Sequence, residues 1–383
     1  MNKKILLFFI ILLLTGCYDH QELNNIAIIT AVEINKIDNN YIINAQIVNP
    51  QSPDKTTNTQ VPFIIYSGKG KTLQEAYRQI NLQSSRYLYS DHIQIMIINE
   101  SIAKEDISQI LDFFLRNPTI RTEFKVLIGK NENILSVITP IDKISSSSIL
   151  ETLKANNQYL GISNLITFND MTNTILNPNT ELILPSIKLE NESQKTDNLE
   201  NTEETKVSSK YILDNLAIFK DNKLLNYLTK DQSITYNIIK NNTKNNIITY
   251  ECNKNKYTSI ELISSKSKII PKNNTISINI ELTGTINETD CNIIINNKLE
   301  KNIETYLNNK IITDINDIRN KYNSDIFGFL DEIYKHDYNT YKKISKTWYK
   351  DSFKNITINI NTKVKIISTG NITEVNNEKK LAI

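Results

Sequence analysis

Ile93-Gln94-Ile95-Met96-Ile97-Ile98 is a nearly continuous apolar run between two stretches of helical periodicity, and its reading decides the fold. A strand apolar on both faces has to be covered on both, as in a parallel sheet flanked by helices. Upstream, Thr72 reads as an N-cap with Glu75 completing a capping box. Leu73, Ala76, Tyr77, Ile80 and Ser84 then share one helical face. Downstream, Lys104 to Leu115 places Ile107, Ile110, Leu111, Phe114 and Leu115 on one face, and Phe124–Ile128 reads as a further strand. With a strand at Val61–Ser67, the order is βαβαβ, hence a covered sheet. Ahead of it, Ile26 to Ile34 and Tyr41 to Val48 alternate around the polar gap Lys36–Asn40, which predicts a hairpin. The first of these strands is apolar on both faces at its centre. A Pro- and Thr-rich connector, Asn49–Gln60, follows the pair. Gly68 and Gly70 read as a turn before the helix and lack the full phosphate-loop fingerprint.

Further along, helices are predicted at Ser145–Asn156 and at Phe168–Leu176, the latter capped by Thr167, before the short run Leu182-Ile183-Leu184-Pro185. Residues 190–209, ENESQKTDNLENTEETKVSS, have Leu199 and Val207 as their only aliphatics. Such a segment buries too little surface to offset its ordering entropy, so it reads as a flexible polar linker. The second half opens with a hairpin, Leu216–Phe219 and Leu224–Leu228, around Asp221-Asn222. A helix at Lys230–Ile239 follows, with Thr229 and Gln232 as its capping box. Strands at Ile247–Glu251, Tyr257–Ile269 and Thr275–Ile286 suggest an antiparallel meander. A long helix, Lys298–Tyr322, then carries Ile303, Leu307, Ile311, Ile315 and Ile318 on its apolar side. Two shorter helices, Asp325–His336 and Asn339–Trp348, precede a last strand at Ile356–Ser368. The fold class is α+β: a mixed sheet-plus-helix N-terminal region and a C-terminal antiparallel sheet packed with a long helix. The expected division is 1–16 signal peptide, 17–189 N-terminal region in two subdomains (about 17–130 and 131–189), 190–209 linker, 210–375 C-terminal domain and 376–383 tail.

At the N-terminus, Met1-Asn2-Lys3-Lys4 supplies positive charge and Ile5 to Leu14 is an apolar run of ten residues. That is short of the ~20 a spanning helix needs; the pattern is that of a secretory signal peptide. Leu14-Thr15-Gly16-Cys17 resembles the bacterial lipobox, in which the cysteine thiol receives a diacylglyceryl group and becomes the first mature residue. Each buried CH₂ contributes ~0.8 kcal/mol, so two acyl chains hold where one does not. An ordinary signal peptide with an accidental cysteine is the bland alternative. The chain is therefore expected outside the cytoplasm, tethered at Cys17 without spanning.

Lys+Arg 44 against Asp+Glu 42 gives a net charge of +2 with no long basic stripe, so nothing points to nucleic acid. Besides Cys17 there are only Cys252 and Cys291, placed by the strand reading near one end of one sheet. They could pair outside the cytosol or remain two packed thiols. Neither lies in a CxxC or near a histidine at ligand spacing, so no metal site is indicated. His20, His92 and His336 are isolated, and acidic pairs such as Asp331-Glu332 belong to a helix surface. No catalytic constellation and no cofactor motif is present.

Several short motifs recur together. The mature start Cys17-Tyr18-Asp19-His20-Gln21-Glu22-Leu23-Asn24 is joined by Leu82-Gln83-Ser84 with Leu88-Tyr89 and His92, and by Leu111-Asp112-Phe113-Phe114-Leu115-Arg116. The C-terminal half adds Ser265-Lys266-Ser267-Lys268, Asp325-Ile326-Phe327-Gly328-Phe329, Trp348 and Thr369-Gly370. On these the chain resembles spore germination lipoproteins of the Ger(x)C type, the C subunits of nutrient germinant receptors, over nearly its full length; Tyr18 stands where the family usually has tryptophan. The resemblance implies a non-enzymatic, lipid-anchored subunit on the outer face of the inner spore membrane. There it would act with the A and B membrane subunits in receptor assembly or signalling, with no assigned small-molecule ligand. The alternative, a solute-binding lipoprotein of an import system, would need two similar α/β lobes closing on a ligand.

Overall fold

The computed structural model describes residues 25–49, 61–118, 120–190, 197–202, 210–243, 245–291 and 294–369. Strand β1 (Ile26–Ile37) and β2 (Asn40–Val48) form the expected antiparallel hairpin. Its two-residue turn, Asp38-Asn39, has φ of 49° and 60°, a conformation these side chains tolerate best after glycine. β3 (Phe63–Gly70) pairs outside β2. On the other side of β1 run β5 (Ile95–Asn99), β6 (Lys125–Gly129) and β7 (Ile183–Glu190), all parallel to it, while the short β4 (Tyr87–Tyr89) pairs with the first residues of β1. β8 (Lys210–Lys220) and β9 (Lys223–Tyr227) close the sheet antiparallel, giving the order β3-β2-β1-β5-β6-β7-β8-β9.

Both faces are covered. On one lie α1 (Leu73–Ile80), α2 (Glu100–Glu105), α3 (Gln109–Arg116) and α5 (Phe168–Leu176), around Ile34, Met96, Ile98, Phe114 and Phe168. On the other lies α4 (Ser145–Tyr159) with the turn before it, around Ala31, Ile95, Ile97, Leu127 and Leu153. Residues 131–189 thus supply one helix to each face and the next strand of the same sheet; they do not form the separate subdomain expected from the sequence. Other local readings also shift. Gly68 and Gly70 lie in β3 rather than in a turn: a Cβ on Gly68 would stand 1.9 Å from the Ala76 carbonyl oxygen, so glycine lets α1 sit directly on the strand. The helix expected over Lys104–Leu115 is two helices. Asp106 is extended between them, its carboxylate accepts the Ser108 N–H at 2.9 Å, and Ile107 is buried in the break. Thr72 caps α1 as expected, but Glu75 accepts the N–H of Lys71, not that of the cap residue.

The largest departure concerns residues 190–209. Residues 191–196 and 203–209 lie outside the described residues, yet Glu190 is directly opposite Lys210 in the β7–β8 ladder, with a 2.8 Å ion pair. Between them, Asn201 is buried and its Nδ2 donates to the Ile138 carbonyl at 2.9 Å. The segment therefore connects neighbouring strands of one sheet. β8 and β9, expected to open the C-terminal domain, complete the N-terminal sheet instead: Ala217, Phe219 and Leu224 join its core, while Leu216 and Ile218 on the opposite face pack with the second body.

The second body begins at α6 (Lys230–Ile239), capped by Thr229 and Gln232 in a full capping box. β10 (Ile247–Asn253), β11 (Lys256–Lys272) and β12 (Thr275–Thr289) form the meander, and β13 (Thr357–Ser368) pairs parallel to β12. α7 (Asn297–Tyr322), about 39 Å long at 1.5 Å per residue, buries Ile303, Leu307, Ile311, Ile315 and Ile318 on this sheet. Its Glu300, Glu304 and Asn308 accept the outward N–H groups of Ile366, Val364 and Thr362 at 2.9, 3.0 and 3.0 Å, so β13 has its edge covered. α8 (Phe329–His336) and α9 (Tyr338–Ile344) follow α7; the second helix is shorter than expected, giving way to a 3₁₀ turn and a π turn that bury Trp348. Cys252 and Cys291 are joined by a disulfide 39 residues apart in sequence. Chain entropy alone makes such a crosslink worth up to about 4 kcal/mol, so dithiothreitol should lower the urea midpoint of the wild type and leave a Cys252→Ser/Cys291→Ser protein unaffected.

Beneath α4 the sheet carries a polar patch the sequence pattern does not announce. Gln46 accepts from Thr30 Oγ1 at 3.2 Å and from the Ser146 N–H at 3.1 Å, and donates to the Leu135 carbonyl at 3.3 Å and to Ser145 Oγ. Beside it, Glu33 is fully buried. Burial pushes its carboxyl up to about 7, opposed by the N–H groups of Leu135, Ile134 and Asn133. An unfolded Glu33 ionises near 4.5, so the folded state keeps its proton where the unfolded state has lost it. The resulting stabilisation is full below about pH 4.5 and is lost as pH rises through about 7. Glu33→Gln should therefore raise stability at about pH 8 by an order of 2 kcal/mol while matching wild type near pH 5, in urea melts at the two pH values.

Candidate functional site

The two bodies meet where the chain leaves α7. Asn323 takes a left-handed conformation (φ 49°) that ends the helix, and the next residues reach into the first body. Ser324 Oγ donates to the Phe219 carbonyl of β8 at 2.5 Å. The Asp325 carbonyl accepts the N–H of Glu181, just ahead of β7, at 3.1 Å. The Asp325 carboxylate, wholly buried, accepts the N–H groups of Phe329 and Leu330 at 3.0 and 2.9 Å, so it caps α8 from inside the joint. Gly328 sits between two buried, stacked rings, Phe327 and Phe329, 5.2 Å apart. Its φ of 71° and the Thr180 hydroxyl 3.3 Å from where a Cβ would stand explain a glycine there.

Charge is concentrated in this joint. Burial pushes Asp325 up to about 6, against the pull of the Leu330 and Phe329 N–H groups and of Lys240. Burial likewise pushes the Lys240 ammonium down, with Asp325 the chief opposing charge. Lys240 donates to the Phe327 carbonyl at 3.1 Å. On the other flank Lys220 pairs with Glu181 at 2.5 Å and lies 2.9 Å over the Tyr349 ring. A cleft of about 260 Å³ opens beside them, lined by Thr180, Glu181, Tyr236, Lys240, Gly328 and Asp331. The groups are committed to one another, and the arrangement does mechanical work, fixing one sheet against the other.

The sequence-derived positions are scattered around this joint. Leu14, Thr15, Gly16, Cys17 and His20 lie outside the described residues. His92 is exposed, with its ring 5.6 Å from that of Tyr89; His336 is exposed, 3.5 Å from Glu332. Among the described residues no three His, Cys, Asp or Glu side chains gather as metal ligands would, and no helix is long and apolar enough to cross a membrane. Leu111, Phe114, Phe327, Phe329 and Trp348 are core residues. Gln83 clamps the edge strand β3 through both main-chain groups of Ser67, and Asn241 does the same for β11 through Ser267. Asp331 is not simply solvated: it accepts from Asn177 across the joint at 3.0 Å. Lys240 escaped sequence reading altogether; it ends a helix with no motif around it.

Two family models match the chain. One, described as the spore germination protein N-terminal domain, matches residues 19–189, and the other, spore germination B3/GerAC like, C-terminal, matches residues 214–370. Spore germination protein KC of Bacillus subtilis (strain 168) is 28% identical over 389 residues, covering 96% of this chain and 95% of its own. Spore germination protein B3 of the same organism is 26% identical over 140 residues, 36% of this chain and 37% of its own. A solved structure, titled the crystal structure of the GerBC protein, aligns with a TM-score of 0.49 at 17% identity, over 88% of this chain and 96% of that one.

Removing the Asp325 carboxylate leaves the buried Phe329 and Leu330 N–H groups without their acceptor and takes away the charge that most favours the Lys240 ammonium. Asp325→Ala should cost about 3 kcal/mol and Asp325→Asn, which keeps one acceptor, about 1–2 kcal/mol, both read as urea midpoints.

Proposed function

The chain belongs to the spore germination GerAC family, and on that premise we propose that it is a non-catalytic, lipid-anchored subunit of a nutrient germinant receptor. The observation that carries this reading is the joint match of the family's N- and C-terminal domains across residues 19–189 and 214–370. In this reading Cys17 carries a diacylglyceryl group, the body lies on the outer face of the inner spore membrane, and the partners are the A and B membrane subunits. Tethering confines the protein to the plane of those partners and raises its effective concentration, so modest interfaces suffice. A body whose two sheets are joined through hydrogen bonds of Ser324, Asp325 and Asn177 suits assembly or signalling.

A solute-binding role finds less support. Its two lobes would be alike, whereas here one sheet is mainly parallel with helices on both faces and the other is a four-stranded sheet crossed by one long helix.

Two measurements test the proposal. Spores lacking the protein should lose dipicolinate release in response to nutrients while keeping it for a trigger that bypasses the receptors. Cys17→Ala should shift the protein out of the membrane fraction and slow nutrient germination; full retention together with normal germination would refute the anchor.

A further inference from the structure

The parallel strands begin toward one edge of the sheet, the edge at which the chain enters β1. β1, β5, β6 and β7 all run the same way, with Ala31 opposite Ile95, Ile95 opposite Lys125 and Ile128 opposite Ser186. Their starts therefore point toward one edge of the sheet, with β1 beginning five residues before the level of Ala31 at which β5, β6 and β7 begin. Cys17 is separated from Ile26 by only residues 18–25, so the two lie at most about 32 Å apart when the chain is fully extended. Three strand steps, about 15 Å, separate β1 from β7 along that edge.

At the β7 end, Tyr341 Oη donates to Asn179 at 3.1 Å and Asn177 donates to Asp331 at 3.0 Å, so α8 and α9 are held against the segment entering β7. What they present there is unusual for a solvated face. α9 has no buried residue. Tyr334 and Tyr338 are 47% and 51% exposed and pack with Tyr341 at ring separations of 5.0–5.8 Å. Residues 335–354 contain six lysines against Asp337 and Asp351, and Lys342 lies 4.6 Å over the Tyr338 ring. On the same edge, Leu82, in the turn after α1, is 80% exposed and Tyr87, the first residue of β4, is 57% exposed.

We infer that this edge is a second membrane contact, in which the Tyr334–Tyr338 patch seats in the interface and Lys342, Lys343 and Lys346 face anionic phospholipid headgroups. Exposed aromatics beside lysines match the chemistry of the interfacial zone, where ring bodies sit at headgroup level and ammonium groups reach the lipid charge. The complementary partner is thus an anionic bilayer surface, and the contact fixes the orientation of a body that a flexible acyl tether alone would leave free to tumble. Its nearness to the bilayer rests on the acylation of Cys17 proposed above.

The test places photoreactive p-benzoylphenylalanine at residue 338 or, as control, at residue 37, in the full chain in its native membrane. Ile37 is partly exposed and ends β1 at the opposite edge, about 36 Å from Ile26. The expected result is a phospholipid adduct at position 338 and none at position 37. Adducts at both positions or at neither, or an adduct at 338 to protein or nucleic acid instead of lipid, overturn the inference. A charge-reversed protein, Lys342→Glu/Lys343→Glu/Lys346→Glu, should bind vesicles of phosphatidylcholine mixed with phosphatidylglycerol at least tenfold more weakly than wild type, and pure phosphatidylcholine vesicles equally. Equal binding of the mixed vesicles by both proteins also overturns it. The mass of the Cys17 peptide separates the two readings: an acylated Cys17 with no lipid adduct at 338 sinks only the second contact, and an adduct without acylation sinks only the anchor.

Discussion

The relation between the two sheets depends on one buried carboxylate. Asp325 stabilises α8 through the N–H groups of Phe329 and Leu330, and its own carbonyl takes the Glu181 N–H at the mouth of β7. A charge in that position is helped by the Phe329, Leu330 and Gly328 backbone N–H groups and by the nearby Lys240. The left-handed Gly328 and the stacked Phe327 and Phe329 lie in the same buried segment. Ser324, reaching the Phe219 carbonyl, ties the same short segment to the strand beyond. Packing of the C-terminal helices against the first body follows from this geometry.

The sheet edges show a second economy of polar groups. β13 offers its outward N–H groups to Glu300, Glu304 and Asn308, spaced one turn apart on α7 as the strand's alternate residues are spaced along the ladder. The match of 6 Å per helical turn or strand dipeptide, roughly, lets a helix serve where a fifth strand would pair. At the far end of the molecule, Gln83 does the same for β3 with a single side chain.

Local signals were legible in the sequence and pairing was not. The helices Phe168–Leu176 and Lys230–Ile239 have the bounds read from their capping residues, because a cap and an apolar stripe lie within a few residues of each other. The β1–β2 hairpin and the long helix were equally plain. The membership of β8 and β9 in the first sheet, the parallel pairing of β13 and the break at Asp106 depend on partners far away in sequence, which periodicity does not report. Gly68 looked like a turn because glycine often is one; here it clears space for the backbone of Ala76. Of the site, Asp325, Phe327, Gly328 and Phe329 stood out only as part of a motif, while Lys240 and Glu33 lacked any neighbouring pattern to mark them as buried charges.

The pairing of Glu190 with Lys210 has an engineering consequence. Two positions already brought together by a ladder can be joined by a chain of almost any length, since each doubling of a loop costs only about 0.6 kcal/mol. Residues inserted next to Glu190 or Lys210, away from the buried Asn201, would therefore leave both sheets in place, which makes those two points natural sites for grafting a reporter domain into an otherwise tightly coupled body.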